Sequence, residues 1–118
     1  MPVELILNSI IKEHDIMKEY SAQRNPDRCP SHSGALLAEL IPATGHSKTE
    51  IARLLGISRQ HLYDIVGQRK PVTPTVAVRL GKLFGDGAGV WMRMQASYNT
   101  WHAEREVDTS DIPTLTAA

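Results

Sequence analysis

Apolar residues recur three or four apart along most of this chain, the spacing of one face of an α-helix, and no strand-like alternation occurs anywhere. Val3, Ile6, Leu7, Ile10, Ile11, Met17 and Tyr20 predict a helix from Val3 to about Ala22, with Lys12, Glu13, Lys18 and Glu19 on its other side. The stretch "QRNPDRCPSHSG" then has two prolines and no periodicity, so Gln23 to Ser33 reads as a linker. Gly34 to Ile41 is a short helix that Pro42 ends, and Gly45 supplies the positive φ of a reversal. Ser47 with Glu50 forms a capping box for a helix over Lys48 to Leu55. Gly56 breaks it, and Ser58 caps another from Arg59 to about Val66. Thr73 as cap and Pro74 at the first helical position open a helix to about Phe84, "GDGAG" turns the chain, and Val90 to about Glu104 is the last helix. The polar end, "VDTSDIPTLTAA", reads as a frayed tail.

The densest pattern is "IARLLGISRQHLYDIVGQRK", Ile51 to Lys70. Two short helices crossing steeply through a tight turn need a small residue at the approach and a glycine at the turn, met by Ala52 and Gly56. Ile51, Leu55, Ile57, Leu62 and Ile65 fill the angle between them. What remains outside on the second helix is Arg59, Gln60, Tyr63 and Asp64, side chains able to bond base edges. A rod of this length, roughly 13 Å, suits the major groove of DNA. Lys48, Thr49, Ser58, His61, Arg69 and Lys70 are placed to meet phosphates on either side. The alternative reading is a helical pair that only supports another function.

At 118 residues the chain has the size of one domain. No apolar run approaches the roughly 20 residues of a membrane span, no secretory signal opens the chain, and the single cysteine, Cys29, excludes an internal disulfide framework; a soluble cytoplasmic protein is expected. Net charge is zero, which alone argues against nucleic acid. Its distribution changes that picture: Thr44 to Lys82 carries seven basic and two acidic residues, whereas Met1 to Ala43 carries four against six and Phe84 to Ala118 two against five. A basic middle between acidic ends is the footprint of a polyanion partner.

The segment His32 to Trp101 resembles the antitoxins of the HigA (VapI) type within the lambda-repressor-like helix-turn-helix group. The resemblance rests on the "HSG" opening, "LGISRQ", the loop "GQRKP" with "VTP" after it, and "VWMRMQASYNTW". It implies an all-α, five-helix DNA-binding domain, here with an additional amino-terminal helix. It implies that Ser58, Arg59, Gln60 and Tyr63 face operator DNA while Arg69 and Lys70 grip the backbone. It also implies a homodimer on a palindromic operator upstream of its own gene, and a small toxin partner that cleaves mRNA. The family often has "HPG" where this chain has His32-Ser33-Gly34, and glutamine where it has Lys48; lysine keeps a phosphate donor. Met1 to Ser31 lies outside the resemblance. The expected organisation is an amino-terminal amphipathic helix and linker over 1–31, the DNA-binding domain with its dimerisation helix over 32–106, and a tail over 107–118.

Trp91, Met94, Tyr98 and Trp101 make a stripe on the last helix; core packing is its plain reading, and a dimer seam at Met94, Tyr98 and Trp101 is the functional one. His14, Cys29 and His32 lack the paired spacing of a zinc site, so no metal and no cofactor are expected. Ser58, His61 and Asp64 lie along one helix surface with no pocket implied, which argues against an enzyme. The amino-terminal helix has three open roles: toxin contact, extra dimerisation or packing. The sequence thus points to an autorepressing DNA-binding antitoxin whose partner is a small basic toxin. A stand-alone repressor, and a toxin-binding module that ignores DNA, remain as alternatives.

Overall fold

A computed structural model describes residues 27–117 of the chain. Five helices follow in order: α1 (Ser33–Thr44), α2 (Lys48–Leu55), α3 (Arg59–Val66), α4 (Pro74–Phe84) and α5 (Gly89–Glu106), with no strand among the described residues. The helix expected over Val3 to Ala22, and with it most of the 1–31 segment, lies outside the described residues.

The helix ends are set by local chemistry. Ser47 Oγ accepts from the Glu50 amide, Ser58 Oγ from the His61 amide and Thr73 Oγ1 from the Val76 amide, each satisfying a donor the first turn leaves open. Only half of the expected capping box forms: the Glu50 carboxylate turns to Arg53, accepting from its Nε at 3.0 Å and from its Nη2. At α1 the unpredicted cap is His32, whose Nδ1 accepts from the Gly34 amide at 2.8 Å. The expectation that Pro42 ends α1 is corrected, because the helix runs through it to Thr44. Pro42 sits in the last turn with its ring exposed, and its carbonyl still accepts from the Gly45 amide at 3.2 Å. Thr44 Oγ1 donates to the Ile41 carbonyl at 2.7 Å, and Gly45, at φ 77°, reverses the chain.

One core unites all five helices, with Leu36, Leu37, Leu40 and Ile41 of α1 meeting Ile51 and Leu55 of α2, Leu62 and Ile65 of α3, Leu80 and Phe84 of α4, and Trp91 and Met94 of α5. Burying one such leucine or isoleucine contributes about 2 kcal/mol. Helix α3 is held from behind by α1, where Gly34 lies so close that a Cβ there would stand 1.8 Å from the Ile65 carbonyl oxygen. Buried polar groups fasten the remaining joints. Ser33 Oγ donates to the Trp91 carbonyl at 2.8 Å, and Gln95 Oε1 accepts from the Val72 amide at 3.0 Å, tying the loop before α4 to α5. From α4, Arg79 Nη1 donates to the carbonyls of Leu55 and Gly56, both at 2.9 Å, closing the end of α2 with a cation.

The aromatic stripe grades along α5. Trp91 and Met94 are fully buried, while Tyr98 and Trp101 are half-buried. The expected dimer seam is corrected at Met94, which is part of the domain's own core and has no surface to offer a partner. No helix among the described residues is long and apolar enough to cross a membrane.

Candidate nucleic-acid interface

Helix α3 turns Leu62 and Ile65 wholly inward and leaves Arg59, Gln60 and Tyr63 exposed on its other side. Its eight residues make a rod of roughly 12 Å. Lys48, at the first position of α2, places its ammonium 5.4 Å from the centroid of the Tyr63 ring, so a cation from α2 and an aromatic from α3 share one surface. Thr49 is exposed beside Lys48, and His61 is half-buried. Ser58 uses its oxygen as the α3 cap and keeps a hydroxyl proton to donate.

The far end of α3 is organised around Asp64. Its Oδ1 accepts from Gln60 Nε2 at 3.0 Å and from Arg69 Nε at 3.1 Å, and its Oδ2 lies 3.6 Å from Lys70 Nζ. The Asp64 carbonyl takes the amides of Arg69 and Lys70 at 2.8 and 3.1 Å, and Arg69 Nη2 donates to the Tyr63 carbonyl at 3.0 Å. The loop therefore folds back over the helix end. Two backbone features permit it: Gln68 adopts φ 62°, and Gly67 leaves room for the Arg69 guanidinium, which a Cβ would meet at 2.3 Å. The hydrogen bond from Arg69, then that from Gln60, holds the Asp64 carboxyl below the usual carboxylate range. Arg53 does the same for Glu50 through the hydrogen bond between them.

Against the sequence expectations, Arg59, Gln60 and Tyr63 sit together and outward, with Lys48, Thr49 and Ser58 along one side. Arg69 and Lys70 keep 60% and 59% of their side-chain surfaces exposed despite their pairing. Asp64 departs from expectation, because its side chain is 14% exposed and its carboxylate is engaged by its own helix and loop instead of being presented to bases. Arg79 was missed as a brace of the helical pair, since nothing in the spacing of α4 distinguishes a cation that caps a neighbour from one in solvent.

Tyr98 and Trp101 belong to a separate cluster at the far end of α5. Tyr98 packs edge-on to His32 with ring centroids 4.8 Å apart and lies 4.5 Å from His102; the Arg105 guanidinium stands 3.6 Å above the Trp101 ring. Burial lowers the pKa of His32, in keeping with a neutral Nδ1 acceptor. Cys29 Sγ lies 3.7 Å from His102 Nε2, and no group of three or more metal-ligating side chains occurs among the described residues.

No protein-family model matches the chain. Virulence-associated protein I of Dichelobacter nodosus is 30% identical over 82 residues, which cover 69% of this chain and 76% of that protein. The structure of Pseudomonas aeruginosa antitoxin HigA with the higBA promoter superposes with a TM-score of 0.60 at 29% identity, covering 69% of this chain and 98% of that one. Another solved structure from Pseudomonas aeruginosa, of a protein in complex with its 18 bp operator DNA, superposes with a TM-score of 0.64 at 29% identity over 73% of this chain and 97% of that one. From the shared helix-turn-helix architecture and these matches, the chain belongs to the HigA/VapI-type family of helix-turn-helix antitoxins.

Proposed function

We propose that this protein is a sequence-specific repressor that binds a palindromic operator as a homodimer and serves as the antitoxin of a toxin-antitoxin pair. The observation that carries the reading is the outer face of α3, where Arg59, Gln60 and Tyr63 stand exposed together on a helix braced on its inner side. Arg59 offers a bidentate donor to guanine O6 and N7, and Gln60 a donor and an acceptor to adenine. Lys48, Thr49, Ser58, His61, Arg69 and Lys70 take phosphates, fixing register without reading sequence. Two solved structures of similar fold carry promoter or operator DNA, which supports the same use here.

Residues 32–106 act as the DNA-binding and dimerisation unit, followed by a tail over 107–118, and the 1–31 segment serves toxin contact, extra dimerisation or packing of the domain. Tyr98 and Trp101 form the dimer seam, half-buried rings at the end of α5 that a second copy would cover. A symmetric dimer then sets two α3 helices about 34 Å apart, one turn of DNA. The toxin is a small basic protein that cleaves mRNA, and the dimer represses the operon encoding both; family membership supports this part of the reading.

The test is a salt-dependent mobility shift on the protein's own upstream region, comparing wild type with Arg59→Ala plus Gln60→Ala. The reading expects a discrete complex for wild type, with loss of sequence preference but a retained steep salt slope in the double variant. Absence of any wild-type complex at low salt would sink it.

A further inference from the structure

We propose that Asp64 is a specificity-determining positioning residue: by accepting a hydrogen bond from Gln60, it fixes which end of the Gln60 amide meets the base edge and so selects adenine over guanine. The inference rests on the reading of α3 as the base-contacting helix and names a residue that acts through another.

The Asp64 side chain anchors this end of α3. It is only 14% exposed, with Arg69 Nε 3.1 Å from Oδ1 and Lys70 Nζ 3.6 Å from Oδ2, so its carboxylate stays ionised between two cations. An ionised carboxylate accepts and cannot donate. The Gln60 amide, one turn earlier on the same helix, meets Oδ1 at 3.0 Å, and only its NH2 end can make that bond. One N–H of Gln60 is thereby committed. What Gln60 still offers outward is one N–H beside one carbonyl oxygen, a donor next to an acceptor.

That pair matches one purine. Adenine presents N7 as acceptor and its N6 amino group as donor, so both remaining Gln60 groups are satisfied. Guanine presents two acceptors, N7 and O6. Bonding both would take two free N–H groups, and Asp64 holds one of them. A free glutamine, by contrast, can turn either end outward and discriminates less.

Removing the carboxylate should spare the fold. The Asp64 carbonyl still takes the amides of Arg69 and Lys70, and Arg69 Nη2 still reaches the Tyr63 carbonyl, so the loop keeps its backbone anchors.

The experiment is selection of bound duplexes from a random library with wild type, Gln60→Ala, Asp64→Ala and the isosteric Asp64→Asn, each checked for helix content by circular dichroism. Wild type should enrich adenine over guanine by roughly tenfold or more at one position of each half-site. Gln60→Ala should lose preference at that position. Asp64→Ala should let guanine rise there to within about twofold of adenine while other positions keep their preferences, an effect that a merely structural role, weakening all positions alike, would not give; Asp64→Asn, whose amide oxygen still accepts from Gln60, should keep the adenine preference. Retention of the adenine preference in folded Asp64→Ala, or an even loss over all positions in either variant, overturns the proposal while leaving the reading of α3 intact. If folded wild type enriches no sequence at all, the reading of α3 falls and this inference falls with it.

Discussion

Replacing Gly34 with alanine adds a single methyl group in the tightest approach between two helices. The new Cβ would stand 1.8 Å from the Ile65 carbonyl oxygen and 2.8 Å from its carbon, both backbone atoms that no side-chain rotation can move. An ordinary carbon–oxygen contact lies near 3.3 Å. Helix α1 must therefore withdraw from the end of α3 by about 1.5 Å. Gly34 is fully enclosed, and its amide serves the His32 cap, so the withdrawal also disturbs the start of α1. Overpacking of this kind costs typically 1–3 kcal/mol, and the rigid obstacle places this case near about 3 kcal/mol. For a domain of this size each kcal/mol moves the midpoint by roughly 4–8 °C, so thermal unfolding followed by circular dichroism should show a loss of about 12 °C or more. Operator affinity, measured well below the midpoint, should fall too, because α3 loses its backing. A midpoint within about 2 °C of wild type would refute the argument and mean that α1 and α3 part more easily than their packing suggests.

Other perturbations probe separate joints. Gln95→Leu keeps volume but orphans the buried Val72 amide, so stability in urea should drop by about 1–3 kcal/mol with faster hydrogen exchange at Val72; unchanged exchange would remove Gln95 from the joint. His32 is held neutral by burial, below its ordinary pKa of 6.5. The unfolded chain therefore takes up a proton first as pH falls, so this contribution is whole above pH 6.5 and is lost as pH drops from there toward the lowered folded value. His32→Ser, which keeps a capping oxygen, should flatten that part of a denaturation series; an unaltered pH profile would assign it elsewhere. Trp101→Asp should yield a monomer in sedimentation velocity, and an intact dimer would move the seam away from α5.

Most of the helix boundaries were legible because each is written in one or two residues: Ser47, Ser58 and Thr73 as caps, and Gly45 and Gly56 as left-handed ends. The outward set Arg59, Gln60 and Tyr63 was legible for a related reason, since fixing Leu62 and Ile65 inside fixes the opposite face. What escaped depends on contacts distant in sequence or on choices between donors. Pro42 reads as a stop, yet Leu40 and Ile41 hold its turn against the core, and the Gly45 amide closes it. Met94 shares the helical spacing of Tyr98 and Trp101, and only the placement of the other helices decides where core ends and surface begins. Asp64 shares a helix face with Gln60, but its capture by Arg69 needed the left-handed Gln68 that brings the loop back.

The two tryptophans are sealed into different worlds. Trp91 is fully buried, and its indole nitrogen finds no hydrogen-bond partner among the described residues, whereas Trp101 is half-buried beneath the Arg105 guanidinium. An indole with no polar partner emits toward the blue, and a half-wetted one toward the red. Fluorescence of the single-tryptophan variants Trp91→Phe and Trp101→Phe therefore offers separate optical channels, one following the melting of the core and the other following what happens at the exposed end of α5.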